Sequence, residues 1–174
     1  MFSFLVDKYL FPIRKQIYEL IPENSSVLDI GCGTGTQLFL LSDKIKYGLG
    51  IDISKRKITE AKKQQKQNLE FRVFDANKIN SLNLNFDYAI CSMFLHSLNK
   101  QNRDELLKSI PVKNLIILDY VKFPSRIRNY LMHFEELFSG HYLNFRDYLK
   151  EENNFGEGIK TFDSGIKIWF CKHL

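Results

Sequence analysis

Short apolar runs alternate with helix-like patterns through most of the chain. The runs have the length of strands, and between them apolar residues recur every three or four positions. Strands are predicted at residues 26–30, 46–53, 69–74, 86–92 and 115–120, and helices at residues 36–42, 55–67 and 101–110. Strands that alternate with helices form a parallel sheet through right-handed crossovers. The pattern therefore predicts a doubly wound α/β fold.

The N-terminal segment departs from this alternation. Residues 3–20 carry apolar residues at helical spacing, interrupted near Pro12, which predicts one kinked helix or two short ones. A helix packed on the sheet edge and a lid over a ligand have the same pattern, so both alternatives stay open for residues 1–21.

The last third of the chain predicts two amphipathic helices and then a hairpin. The helices fall at residues 125–138 and 142–149, and the hairpin strands at residues 159–162 and 166–171. We therefore expect one domain over residues 1–174. Its fold class is α/β: a doubly wound, Rossmann-like, mostly parallel seven-stranded sheet with an antiparallel C-terminal hairpin and helices on both faces.

Composition narrows the setting. The 174 residues are 44% hydrophobic, enough for one sizeable core, and no apolar run reaches the length of a membrane span. The cysteines are three and scattered, which predicts a reducing, cytoplasmic environment. The net charge is +5, with many lysines between positions 55 and 66. These lysines indicate either a nucleic-acid contact or an ordinary solvated helix face.

A glycine-rich turn after the first strand is the main candidate site. Asp29 stands near the end of the strand, and Gly31, Gly33 and Gly35 follow at every second position before a helix begins. Glycine tolerates positive φ and lets a ligand approach the backbone closely. The free N–H groups at the start of the helix favour an anionic ligand group. The stretch therefore predicts a ligand lying on the turn.

Acids also end the next two predicted strands. Asp52 follows the glycine turn by about twenty residues, where a carboxylate accepts hydrogen bonds from the two hydroxyls of a ribose. Asp75 ends the third strand, where its side chain or the neighbouring backbone meets an adenine amino group. Each acid alone is explained equally well as a helix cap, but their joint spacing predicts an adenosine site.

Four motifs in order resemble the class I S-adenosylmethionine-dependent methyltransferases. Residues 27–35 are similar to the first motif of that family, residues 48–53 to its second-strand acid motif, residues 74–79 to its adenine motif, and residues 86–96 to its fourth-strand motif. Within the family the chain looks most like small domains related to the quinone-biosynthesis C-methyltransferases. The resemblance implies a methyltransferase that uses S-adenosylmethionine as its cofactor.

The resemblance also implies a role for each matched residue. Gly31, Gly33 and Gly35 would line the methionine part and the ribose, with Asp29 near the methionine amino group and Cys32 as a small packing residue. Asp52 would bind the ribose hydroxyls and Ile53 would lie against the adenine. Asp75 and Ala76 would meet the adenine edge, and Ser92 would lie under the methionine end. The predicted cofactor site is thus Asp29, Gly31, Cys32, Gly33, Gly35, Asp52, Ile53, Asp75, Ala76 and Ser92.

The chemistry beyond the cofactor is less determined by sequence. His96 follows the fourth strand and is the one candidate for a catalytic general base, although a packing or capping histidine has the same pattern. His133, His141 and His173 show no metal-ligand spacing, so no metal site is predicted.

The acceptor is expected to be a small molecule, since the proline-containing motif of base-amino methyltransferases is absent after the fourth strand. Two alternatives stay open: a non-catalytic S-adenosylmethionine-binding subunit or sensor, and a nucleic-acid methyltransferase.

Overall fold

The fold follows the predicted alternation of strands and helices. The computed structural model describes residues 2–82, 85–122, 130, 133, 134, 136, 137, 140–151, 155–162 and 165–172. For residues 2–9 it describes the backbone only. The elements are α1 (Phe2–Leu20), β1 (Ser26–Ile30), α2 (Thr36–Leu41), β2 (Tyr47–Asp52), α3 (Lys55–Lys62), β3 (Leu69–Val73), β4 (Phe86–Ser92), α4 (Lys100–Ser109), β5 (Val112–Tyr120), α5 (Tyr142–Lys150), β6 (Glu157–Phe162) and β7 (Ile166–Lys172). Two 3₁₀ helices, Ala76–Ser81 and Leu95–Ser97, follow β3 and β4.

The strands form one sheet in the order β3-β2-β1-β4-β5-β7-β6. β1 to β5 pair in parallel, whereas β7 runs antiparallel to β5 and β6 antiparallel to β7. This confirms the predicted α/β fold with a mostly parallel seven-stranded sheet and an antiparallel C-terminal hairpin. Because the winding reverses between β1 and β4, the carboxyl ends of these strands open a crevice at one edge of the sheet.

The core lies between the sheet and the helices packed on it. The central strands contribute Leu28, Ile90, Ile116 and Trp169, all 0% exposed, which is why their sequences are almost continuously apolar. No helix in the described part of the chain has both the length and the hydropathy that crossing a bilayer requires.

The structure decides between the alternatives for the N-terminal segment, and its largest differences from the predicted boundaries are at the end of α3 and the start of β5. The N-terminal segment is one helix that continues through Pro12, because its face with Ile13 and Ile17 is buried in the core. α3 ends at Lys62 rather than near residue 67, since the residues after Ala61 are polar and have no apolar face to bury. β5 begins at Val112, three residues before the predicted start at residue 115.

The early start of β5 comes from pairing that the apolar pattern does not reveal. Val112 already pairs with Phe86 of β4, and the Asn114 side-chain amide donates a hydrogen bond to the backbone oxygen of Asp87 at 3.0 Å. A polar side chain thus extends the strand beyond its apolar run.

Two further predictions bear on surfaces. The basic residues of α3 lie on its exposed side, opposite the buried Ile58 and Ala61, which agrees with a solvated helix face and leaves a nucleic-acid contact untested. The predicted helix over residues 125–138 lies mostly outside the described residues. The second predicted helix is confirmed as α5.

Candidate active site

The glycine turn after β1 has the backbone conformation that only glycine adopts easily. Gly31, Gly33 and Gly35 have φ angles of 73°, 58° and 84°. The Gly31 N–H donates to the Ile51 carbonyl at 2.8 Å, which ties the turn to β2. A Cβ on Gly31 would lie 2.4 Å from the Phe94 ring, whereas a Cβ on Gly33 would meet nothing within 4 Å. The turn is therefore closed at Gly31 and open above Gly33.

Asp29 is buried beside this turn, with no hydrogen-bond partner in the described part of the chain. It is 1% exposed, and neither carboxylate oxygen has a partner among the described residues. Burial raises the pKa of Asp29 to about 7, with a further increase from Asp52 and an opposing effect of Arg14. A buried carboxyl group without donors is costly unless a ligand supplies them. The geometry therefore favours a ligand with a positively charged donor at this point.

Arg14 is a residue of this site that the sequence analysis missed. It lies on α1, and the Gln37 side-chain amide donates to its backbone oxygen at 3.4 Å, which links α1 to α2. Its charge acts on Asp29, as the pKa of that carboxyl shows. Arg14 is not part of any local motif, so only the packing of α1 could reveal it.

Asp52 connects the second strand to the glycine turn. Its Oδ2 accepts a hydrogen bond from the Gly33 N–H at 3.0 Å, and its Oδ1 accepts one from the Ser54 N–H at 2.8 Å. A carboxylate has about four acceptor positions, so each oxygen retains capacity for a ligand hydroxyl. The side chain is thus oriented by the protein and still able to bind a diol.

An exposed apolar rim follows Asp52. Ile53, directly after β2, is 73% exposed, and Val73, the last residue of β3, is 51% exposed. Large aliphatic side chains at the ends of neighbouring strands offer a surface to a flat apolar ring. The exposure of Ile53 supports its predicted contact with an adenine.

Asp75 and Ala76 lie just past β3, where the sequence predicts them. Asp75 Oδ1 accepts hydrogen bonds from the backbone N–H and the side-chain amide of Asn77, both at 3.0 Å, so Asp75 caps the 3₁₀ helix that begins at Ala76. The capping alternative is therefore realised. A contact between Asp75 and adenine stays a prediction, and it would be made by Asp75 Oδ2 or by the neighbouring backbone.

Cys32 lies inside the glycine turn and is buried there. It is 9% exposed, its Sγ–H donates to the Gly33 carbonyl at 3.7 Å, and burial raises its pKa far above the usual value for a thiol. A thiol so hard to ionise is a poor nucleophile. Cys32 therefore fills space under the open part of the turn.

The end of β4 carries an unpartnered hydroxyl and a strained residue. The Ser92 Oγ is buried and has no hydrogen-bond partner among the residues described. Met93 has a φ of 54°, which is costly for any residue other than glycine. Its N–H donates a hydrogen bond to the Leu118 carbonyl at 2.7 Å. This turn brings the next residue, Phe94, against Gly31.

His96 lies in the 3₁₀ helix after β4 and is enclosed by protein. It is 3% exposed, and its Nδ1–H donates to Asp119 Oδ1 at 2.6 Å. Its Nε2 lies 3.7 Å from Glu136 Oε1. Burial opposes protonation, but Asp119 and Glu136 raise the pKa of His96 above its usual value. This environment agrees with the packing alternative, and a role for His96 as general base stays a prediction.

Three further residues, Tyr120, Glu136 and His141, form a cluster with His96 and Asp119 although they are distant from His96 in the sequence. The Tyr120 hydroxyl donates to Glu136 Oε1 at 3.1 Å, and His141 Nε2 lies 3.2 Å from Glu136 Oε2. The edge of the cluster is aromatic, with Phe145 of α5 at 5.9 Å from the His96 ring. The sequence offers no spacing that signals this group, because its members come from three separate segments.

The matched family covers the part of the chain that holds most of this site. Residues 27–111 match a family model described as a methyltransferase domain. The chain is 26% identical to an uncharacterized protein of Rickettsia prowazekii (strain Madrid E) over 79% of this chain and 62% of that protein. It is 34% identical to an uncharacterized protein of Methanocaldococcus jannaschii over 60% of this chain and 39% of that protein. The chain thus spans less than two thirds of the length of either relative.

Solved structures with this fold include S-adenosylmethionine-dependent methyltransferases. One similar structure, that of the mitomycin 7-O-methyltransferase MmcR, has a TM-score of 0.65 and 14% sequence identity, covering 87% of this chain and 49% of that one. At such identity the likeness shows the fold alone, and the family-model match is confined to residues 27–111. Residues 27–111 therefore match a methyltransferase domain, and the sheet around them has the fold of S-adenosylmethionine-dependent methyltransferases.

Proposed function

We propose that this chain transfers a methyl group from S-adenosylmethionine to a small-molecule acceptor. The observation that carries the proposal is Asp29, a buried carboxyl beside an open glycine turn whose oxygens find no donor among the residues that the structure describes. Burying such a group destabilises the protein unless a ligand uses it. An amino acid ammonium group is a donor of the right charge.

Opposite charges at the turn fit the methionine part of the cofactor. Asp29 would bind the ammonium group, and Arg14 would balance the carboxylate, since its charge already acts on this pocket. The buried Ser92 hydroxyl, without a partner among the described residues, offers a further polar contact at this end. The donor set therefore fits a zwitterion.

The nucleoside part would extend along the neighbouring strand ends. Asp52 would accept the two ribose hydroxyls, because two protein N–H groups orient its oxygens without saturating them. Ile53 and Val73 would cover a face of the adenine, and Asp75 with Ala76 would lie at its edge. The residues that resemble the family's motifs thus supply one ligand site from end to end.

The bound cofactor supplies an electrophilic methyl group, so the protein has mainly to position the acceptor and exclude water. Phe94 closes the turn at Gly31, and the buried rings of Tyr120, at the end of β5, and Phe145 pack against each other with centroids 5.1 Å apart. This apolar surrounding supports a small acceptor with a flat or apolar part. The three free cysteines support a reducing, cytoplasmic setting.

Calorimetric titration with S-adenosylmethionine tests the cofactor site. Asp52→Ala should weaken binding about 100-fold, because the ribose loses hydrogen bonds to a charged group and the turn loses an anchor. Asp87→Ala is the matched control, since Asp87 Oδ2 accepts from the Ser26 N–H and hydroxyl, both at 2.7 Å, at the opposite edge of the sheet. Equal affinities for the two variants would contradict the proposed site.

Transfer from methyl-labelled S-adenosylmethionine tests the acceptor class. Label incubated with wild-type chain and a cell extract should appear in the small-molecule fraction, with none transferred by Asp52→Ala. Label in RNA or DNA would instead favour a nucleic-acid methyltransferase. Tight cofactor binding without transfer to any fraction would favour a non-catalytic binding subunit or sensor.

A further inference from the structure

A histidine–glutamate–histidine group lies next to the cofactor edge, outside the residues assigned to the cofactor. It consists of His96, Glu136 and His141, whose ligand atoms all lie within 4.8 Å of one another. His96 Nε2 is 3.7 Å from one Glu136 oxygen, and His141 Nε2 is 3.2 Å from the other. Two imidazole nitrogens and a carboxylate thus converge on one small volume.

The spacing suits a transition metal. With metal–ligand bonds of about 2.1 Å, two ligand atoms of a tetrahedral site lie about 3.4 Å apart. The separations of 3.7 and 3.2 Å, which end on the two oxygens of Glu136, lie on either side of that value, and one ligand atom from each of the three residues lies within 4.8 Å of the others. Mg²⁺ and Ca²⁺ prefer oxygen ligands alone, whereas two imidazoles with one carboxylate are typical of zinc sites that keep a fourth position for water or a ligand oxygen.

The surrounding residues orient these ligands as metal sites require. His96 Nδ1–H donates to Asp119 at 2.6 Å, so the second ring nitrogen is directed to the Glu136 side. A carboxylate on the far nitrogen of a metal-binding histidine fixes the ring and its tautomer. The Tyr120 hydroxyl orients the Glu136 carboxylate by donating a hydrogen bond to its Oε1 at 3.1 Å.

An entry path exists on the His141 side. The His141 side chain is 32% exposed and that of Glu136 is 13% exposed, whereas that of His96 is 4% exposed. A metal ion can therefore arrive from solvent through His141 and be held against a buried wall. Access from one side agrees with a site that leaves one coordination position open.

We propose that His96, Glu136 and His141 form a binding site for a divalent metal ion of the zinc type, with Asp119 and Tyr120 as positioning residues. The site does not depend on methyl transfer, and metal binding is measured without S-adenosylmethionine. Its failure therefore differs from a failure of the proposed function.

Zinc chloride added to the metal-stripped 174-residue chain is the direct test. Competition with a chromophoric chelator should give one bound Zn²⁺ per chain, and thermal denaturation should show a higher midpoint with Zn²⁺. His141→Gln and Glu136→Gln should each weaken binding at least about 100-fold and abolish the shift in midpoint. His133→Gln, the matched control, should retain both, because His133 Nδ1 pairs with the Tyr142 hydroxyl outside the group.

Two results would overturn the site. One is the lack of stoichiometric Zn²⁺ binding by the wild-type chain, which would leave the group as an ion-pair network. The other is Zn²⁺ binding that His141→Gln leaves unchanged or that His133→Gln weakens equally, which would place the ion elsewhere. If the variants fail to fold, the visible absorption spectrum of Co²⁺ bound to the wild-type chain provides a separate test of the site. Four-coordinate binding by nitrogen and oxygen gives intense visible bands, and an octahedral spectrum would contradict the site.

Discussion

Two buried aspartates near the carboxyl edge of the sheet have opposite surroundings. Asp29 in β1 is 1% exposed and has no hydrogen-bond partner among the described residues. Asp119 in β5 is 0% exposed, and its oxygens accept from the His96 Nδ1–H, the His96 backbone N–H and the Tyr120 N–H at 2.6, 3.1 and 2.8 Å. The same residue type, equally buried, is satisfied by protein in one place and left without donors in the other.

This difference separates two halves of the edge. In the β1–β3 half, a charged group is buried at the expense of stability, which is the arrangement expected where a ligand completes the site. In the β4–β5 half, the charge is held inside a hydrogen-bonded cluster that organises His96 and its neighbours. The first half therefore has a buried carboxyl that lacks donors among the described residues, whereas in the second half the protein itself supplies the donors that hold the carboxyl.

Replacing Asp119 should have the largest effect on stability. Asp119→Asn keeps the size of the side chain but replaces one acceptor oxygen with an NH₂ group, which then faces the N–H donors of His96 or Tyr120. It also removes the negative charge that accepts the hydrogen bond from the His96 Nδ1–H. We expect the free energy of unfolding to fall by about 2–4 kcal/mol, as measured by urea denaturation. A loss below about 0.5 kcal/mol would show that Asp119 is not the organising group of the cluster.

The same substitution at Asp29 should have the opposite sign. Asp29→Asn removes a carboxyl whose pKa is raised to about 7, so we expect the cofactor-free protein to gain roughly 1–3 kcal/mol near neutral pH. The pKa is raised in the folded state, so wild-type stability falls as pH rises from about 4 to about 7 through this group. The advantage of the variant should therefore grow over that range in urea denaturation and then level off.

Calorimetry on the same variant completes this test. Asp29→Asn should bind S-adenosylmethionine more weakly although it is more stable. A variant that is both less stable and unchanged in affinity would remove the contrast between the two aspartates.

The pH dependence of cofactor binding should be the smallest of these effects. An ammonium group binds the ionised form of Asp29, and its pKa of about 7 makes that form scarce in acid. Affinity for S-adenosylmethionine should therefore rise about tenfold from pH 5.5 to pH 7, as measured by calorimetry. In Asp29→Asn the rise should disappear, and a flat profile in the wild-type chain would assign the ammonium to another group.

Much of the first half could be predicted from the sequence. The glycine turn, Asp52 and Ile53 belong to successive strand–turn–helix units, and parallel crossovers bring the ends of such units to one edge. Asp52 lies at this edge beside the glycine turn, where its Oδ2 accepts a hydrogen bond from the Gly33 N–H. The binding roles assigned to these residues stay predictions.

The second half was beyond the sequence. His96 was singled out, but Asp119, Glu136 and His141 meet it only because β5, the segment before α5 and α5 itself pack on the same side. The histidines show no metal-ligand spacing along the chain, yet the fold brings ligand atoms of His96, Glu136 and His141 within 4.8 Å of one another. Contacts across 23 or more positions depend on how elements dock, which local pattern does not encode.

The sequence by itself determined the order of strands and helices, the buried faces and the position of the glycine turn, because periodicity and backbone freedom are local properties. Only the tertiary structure decided which side chains complete the edge: Arg14 from α1 beside Asp29, and a satisfied Asp119 beside His96. The physical reason is burial. A carboxyl group acquires its partners, or lacks them, when distant elements exclude water from it.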